Sequence, residues 1–419
     1  MKKIFWLVGL LVSSTGFAAA AEPLTLDEAL ATASKNHPQI EEAAAALAAA
    51  EARLGQARAN YWPQVNLAAD WSKGDTYLTA LGAIRETEFS STAVVVRQNI
   101  YDFGRTAGAT AAARGAKDAA DEGLGLSRQD VAFRLKAAWY LALAAERQVE
   151  ASRQTVVARE KLAHQAAEFF THGTRSKVEV ARTEAAFFAG KSLLIRAENN
   201  REIARLELAH AMGVETLGNR PLAASEIAAA KVPAEVAALR EEALAARKEL
   251  KRVAALKESA AGSLQSAWSG YLPALSGTAS YGDAGQTVLP EGEVWTVGVN
   301  VSLPLFSGFA TKNQVREARA AMEGLTAQQR NLRIQVGKEV ESAWLGVREA
   351  EARLEASTKE AAAARESQRL AMERYREGVG TTIDAVDAQA QSLNAETAKI
   401  QAGYDREIAL VRLERALGR

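Results

Sequence analysis

The chain has 419 residues, with 51 Lys plus Arg against 51 Asp plus Glu, and it contains no cysteine. The charge balance removes the summed field that draws a protein to nucleic acid, and the missing thiols exclude disulfides, thiolate metal sites, cysteine nucleophiles and lipid attachment at cysteine. An Ala-rich composition with only 8 prolines favours long helices.

Met1-Lys2-Lys3, the apolar run Ile4 to Val12 and the small residues Ser13 to Ala21 have the layout of a secretory signal peptide. Residues 1–21 are therefore set apart, and the mature chain is expected to begin near Glu22. No other stretch reaches the roughly 18 apolar residues that a membrane helix needs, so any membrane portion is expected to be a β-barrel. A helix is predicted over about 24–60 and a strand over about 62–73, where Val65, Leu67, Ala69 and Trp71 alternate with Asn66, Ala68, Asp70 and Ser72. A second strand, about 89–101, keeps Val94, Val96 and Ile100 on the corresponding face.

The period then becomes helical over about 104–171. Val131, Leu135, Ala138, Ala142, Ala145, Val149, Ser152 and Val156 step by alternating four and three, the seam of a coiled coil. Such a helix would be about 100 Å long at 1.5 Å per residue and must lie against others. A return helix over 176–213 follows a tip, Phe170 to Ser176, whose Gly173 tolerates the positive φ of a reversal. Pro221 and Pro233 mark 214–237 as a linker.

The rest repeats the first half. Arg201-Glu202-Ile203-Ala204 recurs as Arg406-Glu407-Ile408-Ala409, and Ala138-Trp139 as Ala343-Trp344, both at an offset of 205. The offset copies the seam onto Val336, Val340, Ala343, Val347, Ala350, Leu354, Ser357 and Ala361. Residues 22–213 and 238–419 thus form two repeats. In the second, helices are predicted at about 238–270, 309–376 and 381–418, and strands at about 272–282 and 294–306. The last strand alternates Trp295, Val297, Val299, Val301, Leu303 and Leu305 with smaller or polar residues. Four strands cannot close a barrel, and an open edge in lipid strands backbone polar groups, so identical neighbours must complete the wall; three copies would give twelve strands.

The order strand, strand, long helix, glycine tip, return helix, written twice, resembles the TolC-like outer-membrane efflux protein family. Leu24 to Leu30 with His37-Pro38, the Tyr-x-Pro ahead of each repeat's first strand, and Tyr101-Asp102-Phe103-Gly104-Arg105 carry the likeness. The resemblance implies a mainly α fold with a membrane β-barrel portion. Its homotrimer would form a 12-stranded β-barrel continuous with a 12-helix periplasmic α-barrel in the outer membrane. It implies a passive exit duct, not an enzyme, without cofactor, partnered by a periplasmic adaptor, an inner-membrane transporter and outer-membrane lipid. Efflux and type I protein secretion remain open as the system it serves. A periplasmic coiled-coil adaptor is the reading of another class, but it would not need four amphipathic strands or the aromatic residues Trp62, Trp71 and Trp295 near their ends.

The same resemblance assigns a periplasmic gate to Asp384, Asp387, Tyr375, Glu179 and Arg175. It assigns adaptor docking to tip residues Gly173, Thr174, Ser176, Gly378, Val379 and Thr381, and strand–helix junctions to Pro63, Gly104, Pro273, Pro304 and Gly308. Asp384 and Asp387 stand three apart on one helix face, and three copies would ring an entrance with six carboxylates. Acids near a helix start are also what the helix dipole favours. One departure stands out: the arginine expected two residues after the second tip glycine is Gly380, while Arg175 holds the corresponding place in the first repeat. Gly190-Lys191-Ser192 lacks the earlier glycine of a phosphate loop, and His37, His164, His172 and His210 lack metal-ligand spacing.

Overall fold

A computed structural model describes residues 22–78, 80, 82–223, 235–288 and 291–419, so the expected signal peptide and residues 224–234 of the predicted linker lie outside it. The fold is mostly helical with one antiparallel sheet. Its elements are α1 (Leu26–Asn36), α2 (Pro38–Ala59), β1 (Gln64–Leu78), β2 (Ala83–Tyr101), α3 (Arg105–Thr171) and α4 (Lys177–Met212). After the linker come α5 (Val236–Ala246), α6 (Lys248–Trp268), β3 (Ala274–Gly285), β4 (Gly292–Ser302), α7 (Ala310–Arg376) and α8 (Thr382–Leu417). They divide into two compact units, one with the sheet and one with both helical tips.

The sheet-bearing unit comprises Asn36–Phe133, the described part of Ala230–Arg353, and Ile408–Arg419. Its strand order is β1-β2-β3-β4, so β2 and β3 join the two repeats while β1 and β4 are left as edges. Cross-strand pairing lines up Leu67, Val94, Tyr281 and Trp295 as one rung, and Val65, Val96, Ala279 and Val297 as the next. These alternate residues share one face. Most of that face is open: Leu67 is 73% exposed, Val297 72% and Trp295 69%. Beneath the sheet α3 and α6 cross in backbone contact, for a Cβ added at Gly108 would come within 2.5 Å of Ser266 N. A hydrophobic core of Leu239, Ala243, Leu250, Val336, Val340, Ala343, Val347 and Leu413 also lies in this unit.

The other unit comprises the described part of Met1–Lys35 with Arg134–Ala229 and Leu354–Glu407. Here α3 meets α4 through Arg205–Glu146 at 3.2 Å and α8 through the tilted Tyr140–Tyr404 rings, while α7 meets α8 through Arg365–Glu396 at 2.6 Å. Along α3 and α7 most of the predicted heptad seam is buried, although Ala138 and Leu354 are only half-buried and Trp139, off the seam, is fully covered. Leu135, Ala142, Val336, Val340 and Val347 are all completely covered.

The structure corrects several element boundaries. The helix predicted over 24–60 breaks at His37, which is extended at φ −73°, ψ 121° and whose Nδ1 caps α2 by accepting from Gln39 N at 3.2 Å. Pro38 explains this, since it disfavours helical backbone in the residue before it and suits the first helical turn. The helix predicted over 238–270 breaks at Arg247 (φ −57°, ψ 123°), whose side chain is buried in ion pairs with Glu249 and Glu339. β4 stops at Ser302 and not at 306, because Pro304 has no N–H for the ladder. β1 and β2 run longer than predicted: past the apolar alternation, Lys73 lies opposite Glu88 and pairs with it and with Glu86. Part of the linker is ordered pairing, with Leu24 N donating to Pro221 O at 2.9 Å and Ala223 N to Leu24 O at 2.8 Å.

Candidate functional site at the helical tips

Two reversals lie in one unit, α3 to α4 and α7 to α8. At each the glycine is left-handed, Gly173 at φ 74° and Gly378 at φ 82°, and Thr174 N and Val379 N close the turn onto Phe169 O and Arg374 O, both at 3.0 Å. Glycine adopts this backbone without the Cβ clash that other residues meet. Thr174, Ser176, Val379 and Thr381 are all exposed around these turns.

The tips are clasped to each other within the chain. Arg175 Nη2 donates to Gly378 O at 3.1 Å and to Gly380 O at 3.0 Å. Its Nη1 lies 3.6 Å from Glu179 Oε1, and Glu179 Oε2 accepts from the Thr382 hydroxyl at 2.7 Å. The guanidinium sits 5.5 Å from the Tyr375 ring centroid. Tyr375 is fully buried with Leu162 and Ala385 and tilts against Phe169 at 6.0 Å, and this burial raises its phenol pKa. Arg175, Glu179 and Tyr375, read as one group from the sequence, do come together. Thr382 completes the group, and sequence reasoning missed it because a hydroxyl at a helix start carries no distinctive signal.

Gly380 explains the absent arginine. It is buried, and a Cβ there would come within 2.8 Å of Tyr375 N and 2.9 Å of Arg374 C, so no side chain fits without moving the turn. The cation is supplied from the opposite tip.

Asp384 and Asp387 stand apart from this clasp, both exposed on the first turns of α8. Asp384 N donates to Thr381 Oγ1 at 3.2 Å, while Asp384 Oδ2 accepts from Thr381 N at 3.4 Å, a reciprocal capping box. Asp384 thus stabilises the helix start whatever else it does. No group of three or more potential ligands that could hold a metal occurs among the described residues.

The junction residues bound the strands as their backbone chemistry requires. Pro63 and Pro273 precede β1 and β3, Pro304 follows β4, and Gly104 and Gly308 are left-handed at φ 97° and 60°. Asp102, missed as a site residue, organises the second junction. Its carboxylate accepts from Asn99 Nδ2 at 2.7 Å, Thr106 N at 2.9 Å, Gly104 N at 3.3 Å and the Thr106 hydroxyl. Partial burial works to raise its pKa, yet these hydrogen bonds together hold it below the usual value. An Asp just ahead of a helical run is a legible cap signal.

A family model described as outer membrane efflux protein matches residues 29–214 and 239–419. The outer membrane efflux protein BepC of Brucella suis is 26% identical over 414 residues, covering 97% of this chain and 87% of that protein. The outer membrane protein TolC of Escherichia coli is 25% identical over 440 residues, covering 100% and 87%. Among solved structures, the Campylobacter jejuni CmeC outer membrane channel is similar at a TM-score of 0.84 and 17% identity, covering 94% of this chain and 85% of that one. The open-state MtrE outer membrane channel of Neisseria gonorrhoeae gives 0.81 at 19% identity, covering 95% and 89%. With both repeats matched, the chain belongs to the outer membrane efflux protein family.

Proposed function

We propose that the chain is one third of a passive exit duct in the outer membrane. Three copies close a twelve-stranded barrel around a lumen, and substrates arrive from an inner-membrane pump through a periplasmic adaptor. The observation that carries this is the sheet, which has an apolar exposed face and two unpaired edges, β1 and β4. Unpaired backbone in hydrocarbon costs several kcal/mol per group, so on order-of-magnitude grounds such edges must be met by other strands. Four antiparallel strands leave β1 and β4 running in opposite senses, so one copy's β1 can add to another's β4 and keep the alternation.

In this reading the clasp of Arg175, Glu179, Tyr375 and Thr382 holds the entrance closed, and Asp384 and Asp387 line it with negative charge. The exposed tip residues Gly173, Thr174, Ser176, Gly378, Val379 and Thr381 receive the adaptor. Fractionation to the outer membrane, heat-modifiable migration on gels and a detergent-extracted mass of three chains are the expected results, with ion conductance after reconstitution. A stable detergent-extracted single chain would defeat the proposal.

A further inference from the structure

Apart from the sheet, the sheet-bearing unit holds a cleft of about 530 Å³ where α3, the start of α6, α7 and the last turns of α8 meet. Phe133, Ala343 and Ala416 give it part of an apolar lining. Four cations, Arg247, Lys338, Arg412 and Arg415, share that lining with three carboxylates, Asp130, Glu249 and Glu339. The carboxylates are already engaged. Arg415 Nε donates to Asp130 Oδ1 and its Nη2 to Glu249 Oε1, both at 2.8 Å, while Arg247 pairs with Glu249 at 3.2 Å and with Glu339.

That leaves donors in excess. Arg415 Nη1 is buried with no hydrogen-bond partner, and Lys338 and Arg412, exposed at the same cleft, have no hydrogen-bond or ion-pair partner among the described residues. A buried charged donor without an acceptor is destabilising, so an acceptor is the group this lining lacks. A water would satisfy that N–H alone, whereas an oxyanion would satisfy it and answer the two free cations together. The helical repeat does not impose this cluster. At the offset of 205 the mates of Lys338, Arg412 and Arg415 are Phe133, Glu207 and His210, so the first repeat has an aromatic ring and an acid where the second has its two free cations.

We propose that this cleft binds a small organic anion. Its phosphate or carboxylate oxygens accept from Arg415 Nη1, Lys338 and Arg412, and its apolar body lies against Phe133 and the two alanines. Guanidinium groups suit oxyanions because their planar N–H sets match the oxygens. The volume falls in the range of about 300–1,000 Å³ usual for small-molecule clefts, more than a halide or a bare phosphate fills. Since Phe133, Ala343 and Ala416 stand on α3, α7 and α8, such a ligand bridges three helices. The site is built within one chain and does not depend on closure of the barrel.

Isothermal titration of the detergent-extracted full-length protein tests this, in chloride buffer at fixed ionic strength with phenyl phosphate, benzoate and inorganic phosphate as probes. Saturable binding of one phenyl phosphate or benzoate per chain is expected, tighter than that of inorganic phosphate because of the apolar body. Whichever of the two binds more tightly names the oxyanion. Lys338→Gln with Arg412→Gln should weaken that binding by about tenfold or more, as the loss of charge-assisted hydrogen bonds implies. Neither side chain has a partner to lose among the described residues, so the thermal midpoint in chloride should stay unchanged. Ser342→Trp keeps every charge but fills the cleft, and it should abolish binding, which a general attraction to exposed cations would not produce. No saturable binding of any probe, or equal affinity in wild type and both variants, would overturn the site. Inorganic phosphate binding as tightly as phenyl phosphate and benzoate would overturn the apolar contact and with it the organic ligand.

Discussion

At residue 380 the absence of a side chain settles which tip supplies the cation. Since a Cβ at Gly380 would press on the Tyr375 amide, Arg175 reaches across from the other turn to the carbonyls of Gly378 and Gly380. Hydrogen bonds from a charged donor contribute about 1.5–3 kcal/mol each before context, so Arg175→Ala should loosen the closed entrance and raise conductance of reconstituted channels, with Arg175→Lys intermediate. Unchanged conductance and unchanged tip protection in hydrogen exchange would show that the clasp closes nothing. The carboxylates need separate treatment. Asp384 shares a capping box with Thr381, so its removal costs about 1 kcal/mol of helix stability in addition to any charge effect. Asp387→Ala is therefore the cleaner probe, and it should reduce cation over anion selectivity in bilayer recordings while the thermal midpoint stays put. Chemistry at this site was only partly legible in sequence. The family resemblance pointed to Arg175, Glu179 and Tyr375, but Thr382 and the steric demand for Gly380 arise from a contact between turns about 205 residues apart, which no local pattern encodes.

Among the elements, those with a repeating physical cause could be read and those with a single distant cause could not. The heptad seam of α3 and α7 is written in spacing, and Leu135, Val336, Val340 and Val347 are indeed fully buried. By contrast α5 and α6 part at Arg247 without proline or glycine, because its side chain is held by Glu339 and Ala416, 92 and 169 residues further on. The charged stretch of the first hairpin was likewise misjudged, since apolar alternation stops where the Lys73 pairing to Glu86 and Glu88 begins. The start of α3 gives an element-scale prediction. Asp102→Ala removes four accepted hydrogen bonds and should lower stability by about 0.5–2 kcal/mol, the range of N-cap losses. The pH dependence follows from the lowered carboxyl pKa. A folded-state value below the unfolded one contributes stability above the unfolded value, and the contribution disappears as pH falls through the folded value. Asp102→Asn should therefore narrow the gap between wild type and variant in thermal melts as the pH drops below the ordinary aspartate value of 3.8. A gap constant from neutral pH into that acidic window would remove the charge from the account of the cap.

For the assembled molecule the question is whether copies close on themselves. Joining β1 of one copy to β4 of the next is a head-to-tail contact, which yields a ring when the rotation closes and an open filament when it does not. The strand count bears on this, because two copies would give eight strands, a barrel filled by its own side chains, whereas three give twelve and leave a lumen. The lumen-facing set supports an open interior, being small or polar along much of its length: Asn66, Ala68, Asp70 and Ser72 on β1, and Gly298, Asn300 and Ser302 on β4. The absence of cysteine makes closure directly countable. With Cys introduced at Val65 or Leu67 on β1 and at Val297, Val299 or Val301 on β4, all on the same face, at least one combination should bring Cβ atoms within the roughly 3.5–4.5 Å that a disulfide requires. After mild oxidation in the membrane, a non-reducing denaturing gel should show dimer and trimer bands with the ladder ending at three, and either single variant should give no more than dimer. Bands continuing past three would mean that the contact does not close. No crosslink in any combination would mean that β1 and β4 are not neighbours across copies, and the barrel would have to be abandoned.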